Sequence, residues 1–203
     1  MNDWRENLRI PVTASAPGRM DVMGGIADYS GSLLLQMPIR QRTFATVQRS
    51  DDEWIWVKSK RSSARYATFK MNAREIADLS NPELSRLLKE RDQGDWASYV
   101  IGSVAVLYRK GLIPVTGLTI KIESSVPEGK GVSSSAALEV AVISSLTRLF
   151  QVQTEKYDIP LLAQQAENEV VGAPCGLMDQ LSTYFGEKGK LLPVLCQPCA
   201  VNR

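Results

Sequence analysis

The sequence contains no histidine. That removes the commonest general base near neutral pH, the serine–histidine nucleophile pair and most zinc sites together. Cysteine is scarce: the 203 residues include only three, an odd number. So few thiols argue against a disulfide framework and for a reducing, cytoplasmic setting. No apolar run approaches the roughly 20 residues that span a bilayer. The N-terminus, MNDWRENLRI, lacks the apolar centre of a signal peptide. A dominant charge is missing too. Lys and Arg number 24 against 22 Asp and Glu, a formal +2. That balance implies neither a nucleic-acid nor a membrane partner. Internal repeats and low-complexity linkers are also absent. The composition that remains, 44% apolar and 23% charged, is that of a globular chain with a real core.

Residues 12–70 read mostly as strand. VTASAP, MDVM, LLLQM, TFATVQ, WIWVKS and RYATF are short, often alternating, and separated by turn residues. From about residue 73 the pattern turns helical. NAREIADL comes first, and Asn81-Pro82 opens PELSRLLKERD. Asp95 is placed to cap WASYVIGSVAVLYRKG. LTIKIE, 118–123, alternates as a strand, and a helix over about 134–150 follows. Asp158-Ile-Pro160 starts LLAQQAENEVVG, which stops at Gly172. GLMDQLSTYF reads as a short helix and KLLPVL as a last strand. Strands first and helices later predict an α+β fold.

PEGKGVSSSAALE, 127–139, sets Gly129, Gly131 and the run Ser133, Ser134, Ser135 before an apolar helical run. A helix N-terminus leaves backbone N–H groups unpaired and carries partial positive charge. Glycines let an anion approach the backbone, and serine hydroxyls add donors. The stretch therefore suits a phosphate. It is not the G-x-x-x-x-G-K-[ST] loop. The plain alternative is that Ser133 or Ser134 only caps a buried helix.

Read as P-x-x-x-G-[LV]-[GS]-S-S-A-A, this stretch resembles the phosphate-loop motif of the galactokinase, homoserine kinase, mevalonate kinase and phosphomevalonate kinase (GHMP) superfamily. Two more stretches resemble its galactokinase branch, in order. APGRMDVMGGIADYSG, 16–31, is similar to the N-terminal sugar-binding signature. AENEVVGAPCGLMDQLSTYFG, 166–186, is similar to the catalytic segment. Trp96-x-x-Tyr99-x-x-Gly102 is a weaker echo. The resemblance implies a GHMP kinase N-terminal domain of the ribosomal protein S5 domain 2-like type, a mixed sheet packed with helices.

It also implies roles. Asp179 would accept the proton of the sugar's anomeric hydroxyl, and a carboxylate base suits a chain without histidine. Arg19 would sit beside Asp179 and stabilise developing charge. Gly129, Gly131, Ser133, Ser134 and Ser135 would hold the ATP phosphates, with Trp96 bordering the adenine. Ser135 and Glu167 would hold Mg²⁺, a hard cation served by few protein oxygens plus phosphate and water. Glu169 competes with Glu167, since residues two apart on a helix face different ways. Asp28, Gly25, Gly176 and Asp179 would line the sugar site. The chemistry implied is in-line transfer of the γ-phosphoryl group of ATP to a sugar hydroxyl.

Two departures stand out. Galactokinases carry a glutamate–histidine pair where this chain has Gly25-Ile26, and the glutamate is associated with the C6 hydroxymethyl end of the sugar. A pocket without it should accept a sugar without C6. GRMDVMGGIADYSGSLLLQMPI also resembles the matching stretch of plant-type L-arabinokinases. The expectation is therefore an L-arabinokinase-like sugar 1-kinase, with galactokinase or a non-catalytic sugar- or nucleotide-binding protein as alternatives. Secondly, nothing after residue 186 resembles the third motif, carried by the family's C-terminal ferredoxin-like domain. The chain reads as one truncated domain, 1–203, with weak or no activity alone and an apolar face open to self-association. Cys196-Gln-Pro-Cys199 reads as two ordinary thiols at a strand end rather than a redox or zinc pair.

Overall fold

The computed structural model describes residues 10–25, 32–60, 66–196 and 199–201. Strand β1 covers Val12–Met23, β2 Leu33–Arg49, β3 Trp54–Lys60 and β4 Tyr66–Asn72. Helices α1 (Ala73–Asp78), α2 (Asn81–Glu90) and α3 (Gly94–Arg109) follow, then β5 (Leu118–Ser124) and α4 (Ser134–Leu149). Helix α5 (Asp158–Ala166) runs on into a π-helical turn, Glu167–Val171. Helix α6 (Met178–Phe185), β6 (Leu192–Cys196) and β7 (Cys199–Val201) complete the chain.

One seven-stranded sheet, in the order β4-β3-β5-β2-β6-β7, has β1 attached to β2. Among the described strands only β3 and β5 run parallel, so the sheet is mixed and the α+β expectation holds. The 17-residue β2 is the hub. One edge pairs with β1; the other pairs with β5 through its second half and β6 through its first. The sequence breaks each of these two strands in two, at 12–17 and 20–23, and at 33–37 and 43–48. The chain makes them continuous. Pro38 lies next to a register shift between Pro17 and Arg19, where a missing N–H costs no ladder bond.

The sheet buries one face. Leu118, Ile120 and Ile122 of β5 and Ile55 and Val57 of β3 point inward, while Lys121, Trp54 and Lys58 do not. Helices α3 and α4 cover that face and are apolar nearly all round, as fully packed helices must be. Helix α4 lies against β1 and β2 with α3, α5 and α6 around it. A second cluster, Leu34, Leu177, Met178, Leu181, Phe185, Leu192 and Val194, fixes α6 to the β2–β6 edge. Phe185 also meets Tyr157 and Tyr184 edge-on. The start of α6 is thereby held beside β1.

One cap differs from expectation. Helix α3 starts at Gly94, with Gln93 as N-cap in the left-handed region, and Asp95 falls in its first turn. Gly94 is required there, because a Cβ would lie 1.7 Å from the Leu88 carbonyl oxygen. No helix among the described residues is long and apolar enough to cross a membrane.

Candidate active site

The loop before α4 alternates left-handed residues: Gly129 at φ 67°, Gly131 at 68° and Ser133 at 56°. Alternation of this kind turns successive N–H groups toward one concavity. The space beside Gly129 and Gly131 is open within 4 Å, so nothing packs into it. Ser133 stands at the N-cap position of α4 but caps nothing. Its hydroxyl is buried and has no partner. Capping therefore does not explain the serine. No acidic residue lies in the first turn of this 16-residue helix, so its positive end is uncompensated.

Arg19 joins this loop to α6. Its backbone N–H donates to Val132 O at 3.0 Å and its Nη1 to Gly131 O at 3.0 Å. Its Nε and Nη2 both donate to Asp179 Oδ1, at 2.8 and 2.6 Å. The side chains are 11% and 26% exposed, so solvent screens this pair poorly. Both bonds land on Oδ1, and Oδ2 keeps its lone pairs for another donor.

Glu167 opens the π-helical turn, which adds a residue per turn and points it toward α4. Gln180 Nε2 donates to its Oε2 at 2.8 Å, and Cys175 Sγ lies 3.4 Å from the same oxygen. Burial pushes the Glu167 carboxyl up, while the Ser135 hydroxyl beside it pulls the other way. Ser135 and Glu167 are thus neighbours. Glu169 faces elsewhere, accepting from Asn81 at 2.6 Å and Gln165 at 3.1 Å. The segment after the turn is clamped by Asn168, whose Oδ1 accepts from the Cys175 N–H at 2.7 Å and whose Nδ2 donates to Cys175 O at 3.3 Å.

Two members escaped the sequence reading. Glu139, one turn beyond Ser135 on α4, is fully buried, and neither carboxyl oxygen makes a hydrogen bond of ordinary geometry. Burial and then the charge of Glu167 push its carboxyl well above the carboxylate range. Its signal was an acid inside the apolar run AALEVAV. Gln180, wholly buried, orients Glu167, and it stands next to Asp179 in GLMDQ.

A cavity of about 240 Å³ opens beside the loop, lined by Trp96, Tyr99, Ile122, Leu138, Glu128, Gly129, Ser134 and Ser135 among others. Trp96 Nε1 donates to Gln93 at 3.0 Å, which fixes the indole. The structure therefore gathers Trp96, Gly129, Ser134 and Ser135 around one cavity. It also gathers Arg19, Asp179, Gly131, Ser133 and Glu167 along the adjoining β1–α6 seam. Gly176 is half-buried on the segment leading into α6, and Gly25 follows β1. Asp28 lies outside the described residues, as do the side chains of Cys196 and Cys199. Cys175 packs against Glu167 and Gln180, and burial pushes its thiol up, away from nucleophilic use.

Comparison with known proteins agrees with this geometry. Residues 98–187 match the GHMP kinases N terminal domain, and residues 5–49 match the galactokinase galactose-binding signature. The L-arabinokinase of Arabidopsis thaliana is 39% identical over 98% of this chain and 22% of its own length. The galactokinase of Pyrococcus furiosus is 32% identical over 89% of this chain and 46% of its own. The crystal structure of Lactococcus lactis galactokinase complexed with galactose superposes with a TM-score of 0.79 at 24% identity, over 96% of this chain and 47% of that one. The chain spans less than half the length of each of these proteins. A phosphate-type loop joined through one arginine to a carboxylate on α6, the two matched families and these relatives agree: the chain belongs to the GHMP kinases, in the galactokinase branch.

Proposed function

We propose that the chain forms the ATP- and sugar-binding part of a sugar 1-kinase, L-arabinokinase-like in substrate. The observation that carries this is Arg19, which holds the phosphate loop through Gly131 and Asp179 through Oδ1. One guanidinium thus spans the place where a phosphoryl group leaves ATP and the place where a hydroxyl attacks. Asp179 Oδ2 accepts the hydroxyl proton as the oxygen attacks in line, and Arg19 stabilises charge on the transferring oxygens. The loop N–H groups, Ser134 and the N-terminus of α4 receive the phosphates, and Trp96 with Leu138 and Ile122 receives the base.

Among the described residues no cluster of three or more His, Cys, Asp or Glu holds a metal by itself. Mg²⁺ with a nucleotide needs less than that, because phosphate and water supply most of its ligands. Ser135 and Glu167 offer two adjacent hard oxygens, and Glu167 Oε1 is free of the bonds made by Oε2. They fit the ion, which would neutralise charge on the β- and γ-phosphates. Gln180 and the Asn168 clamp fix where Glu167 points.

The L-arabinose reading is supported by Gly25 and by the identity with the Arabidopsis protein. Galactose is the second reading, supported by the galactose-binding signature and the galactokinases. ADP release with Mg·ATP across L-arabinose, D-galactose and no sugar tests them. Release driven by L-arabinose over D-galactose is expected, and the reverse preference would replace the first reading by the second. Nucleotide binding without sugar-dependent release would favour a non-catalytic binder.

A further inference from the structure

Arg19 and Asp21 lie two residues apart on β1, where the pairing with Pro38, Met37 and Gln36 is regular. Their side chains therefore leave the same face, about 7 Å apart along the strand. Asp21 is exposed, yet it is held at both oxygens. Oδ1 accepts from Gln36 Nε2 at 2.8 Å and Oδ2 from the Gly25 N–H at 2.9 Å. Gln36, its register partner on β2, is fully buried, and its Oε1 has no partner. No cation pairs with Asp21 among the described residues.

Gly25 carries a further constraint. A Cβ there would lie 2.1 Å from Asp21 Oδ2 and 2.6 Å from its Cγ. No side chain fits at 25 while the carboxylate stays. Moving the carboxylate would strip the buried Gln36 amide of its acceptor and the Gly25 N–H of its own. The glycine is thus the consequence of the aspartate four residues before it.

We propose that Asp21 is the specificity-determining carboxylate of the sugar pocket, and that it keeps that place by excluding any side chain from position 25. This rests on the sugar-kinase reading above. Each Asp21 oxygen retains a free acceptor site beside its present bond. The carboxylate therefore accepts from ring hydroxyls next to the Arg19–Asp179 pair and repels a sugar that carries its own carboxylate. The substrate class is a neutral aldose, not a uronic acid. Restoring Glu at 25 alone does not rebuild a hydroxymethyl site, because Asp21 stands in its volume.

The test combines a stability cycle with sugar binding on the 203-residue chain. Gly25→Ala, Asp21→Ala, the double variant and Asp21→Asn are compared by denaturant unfolding. Binding of L-arabinose, D-galactose and D-galacturonate is followed by saturation-transfer NMR and calorimetry. Gly25→Ala destabilises the unchanged chain and is near neutral in the Asp21→Ala background. Asp21→Asn, which still accepts from Gln36, weakens L-arabinose binding about tenfold or more and narrows the gap to D-galacturonate. Additive effects of the two alanines would overturn the exclusion. Unchanged L-arabinose affinity in Asp21→Asn would overturn the sugar role. If the unchanged chain binds nucleotide but none of the three sugars, the sugar-kinase reading fails and takes the sugar role with it. The stability cycle still decides the exclusion by itself.

Discussion

Ser133 shows at one residue how the loop differs from an ordinary helix start. It holds φ 56° without being glycine, and buries a hydroxyl that bonds to nothing. Left-handed backbone costs a non-glycine residue about 1–2 kcal/mol. Ser133→Gly relieves that strain, so unfolding shows stability held or raised, while the thermal shift produced by Mg·ATP shrinks with loss of the hydroxyl. An unchanged nucleotide shift would make the hydroxyl incidental. At the seam, Asp179→Asn removes the proton acceptor and lowers sugar-dependent turnover about 10²–10⁴-fold, while nucleotide binding stays. Arg19→Lys cannot reach Asp179 Oδ1 twice and Gly131 O at once, so it lowers turnover too, with a rise in the nucleotide dissociation constant. Of these residues, helix physics alone singled out the serines but left phosphate binding and simple capping both open. Arg19 and Asp179 are 160 positions apart, so nothing local pairs them, and only the family resemblance placed them together.

At the scale of elements, the π-helical turn decides between two glutamates that a regular helix leaves open. Glu167 turns into the site and Glu169 to Asn81. A 3.6-residue period cannot show this, because one extra residue per turn leaves no compositional mark. The turn is braced by Asn168 through two bonds to the Cys175 backbone. Asn168→Ala costs about 1–3 kcal/mol, and hydrogen exchange at the Cys175 amide accelerates more than exchange across α4. Equal acceleration everywhere would mean that Asn168 is only a general stabiliser. Helix α3 is tied to the approach to β5 by Tyr108, whose hydroxyl donates to Thr116 O at 2.7 Å. Burial pushes that phenol up from 10.0 to about 12. The folded value exceeds the unfolded one, so the neutral phenol's contribution is complete below about pH 10 and is lost as pH rises through about 12. Tyrosinate absorbance in an alkaline titration then shows late-titrating tyrosine, Tyr99 being raised by burial as well, and Tyr108→Phe removes the part that coincides with unfolding. The merging of four short runs into β1 and β2 was illegible because Pro17-Gly18 in one and Pro38 in the other read as breakers until the register is known.

Across the whole molecule, the one-sided sheet, the buried α3 and α4 and the second cluster under α6 bring two distant segments to a single seam. The α+β class was legible from the order of strands and helices, since local pattern carries it. The site was not, since it is made by the crossing of β1, α4 and α6. Met20, Val22, Met23, Leu33 and Leu191 are exposed where β1, β2 and β6 meet. That end of the sheet predicts concentration-dependent self-association, read by light scattering, with Val22→Lys reducing it. A monomer at all concentrations would contradict this. The proposed activity is a single transfer: the γ-phosphoryl group of ATP to the anomeric hydroxyl of a neutral sugar, with Asp179 taking the proton. Phosphorus-31 NMR of a long incubation of the chain with Mg·ATP and L-arabinose measures it directly, even if turnover is slow. A sugar 1-phosphate resonance that is absent from the Asp179→Asn reaction is the result expected. Product that forms equally with Asp179→Asn, or phosphate placed at another hydroxyl, would contradict it.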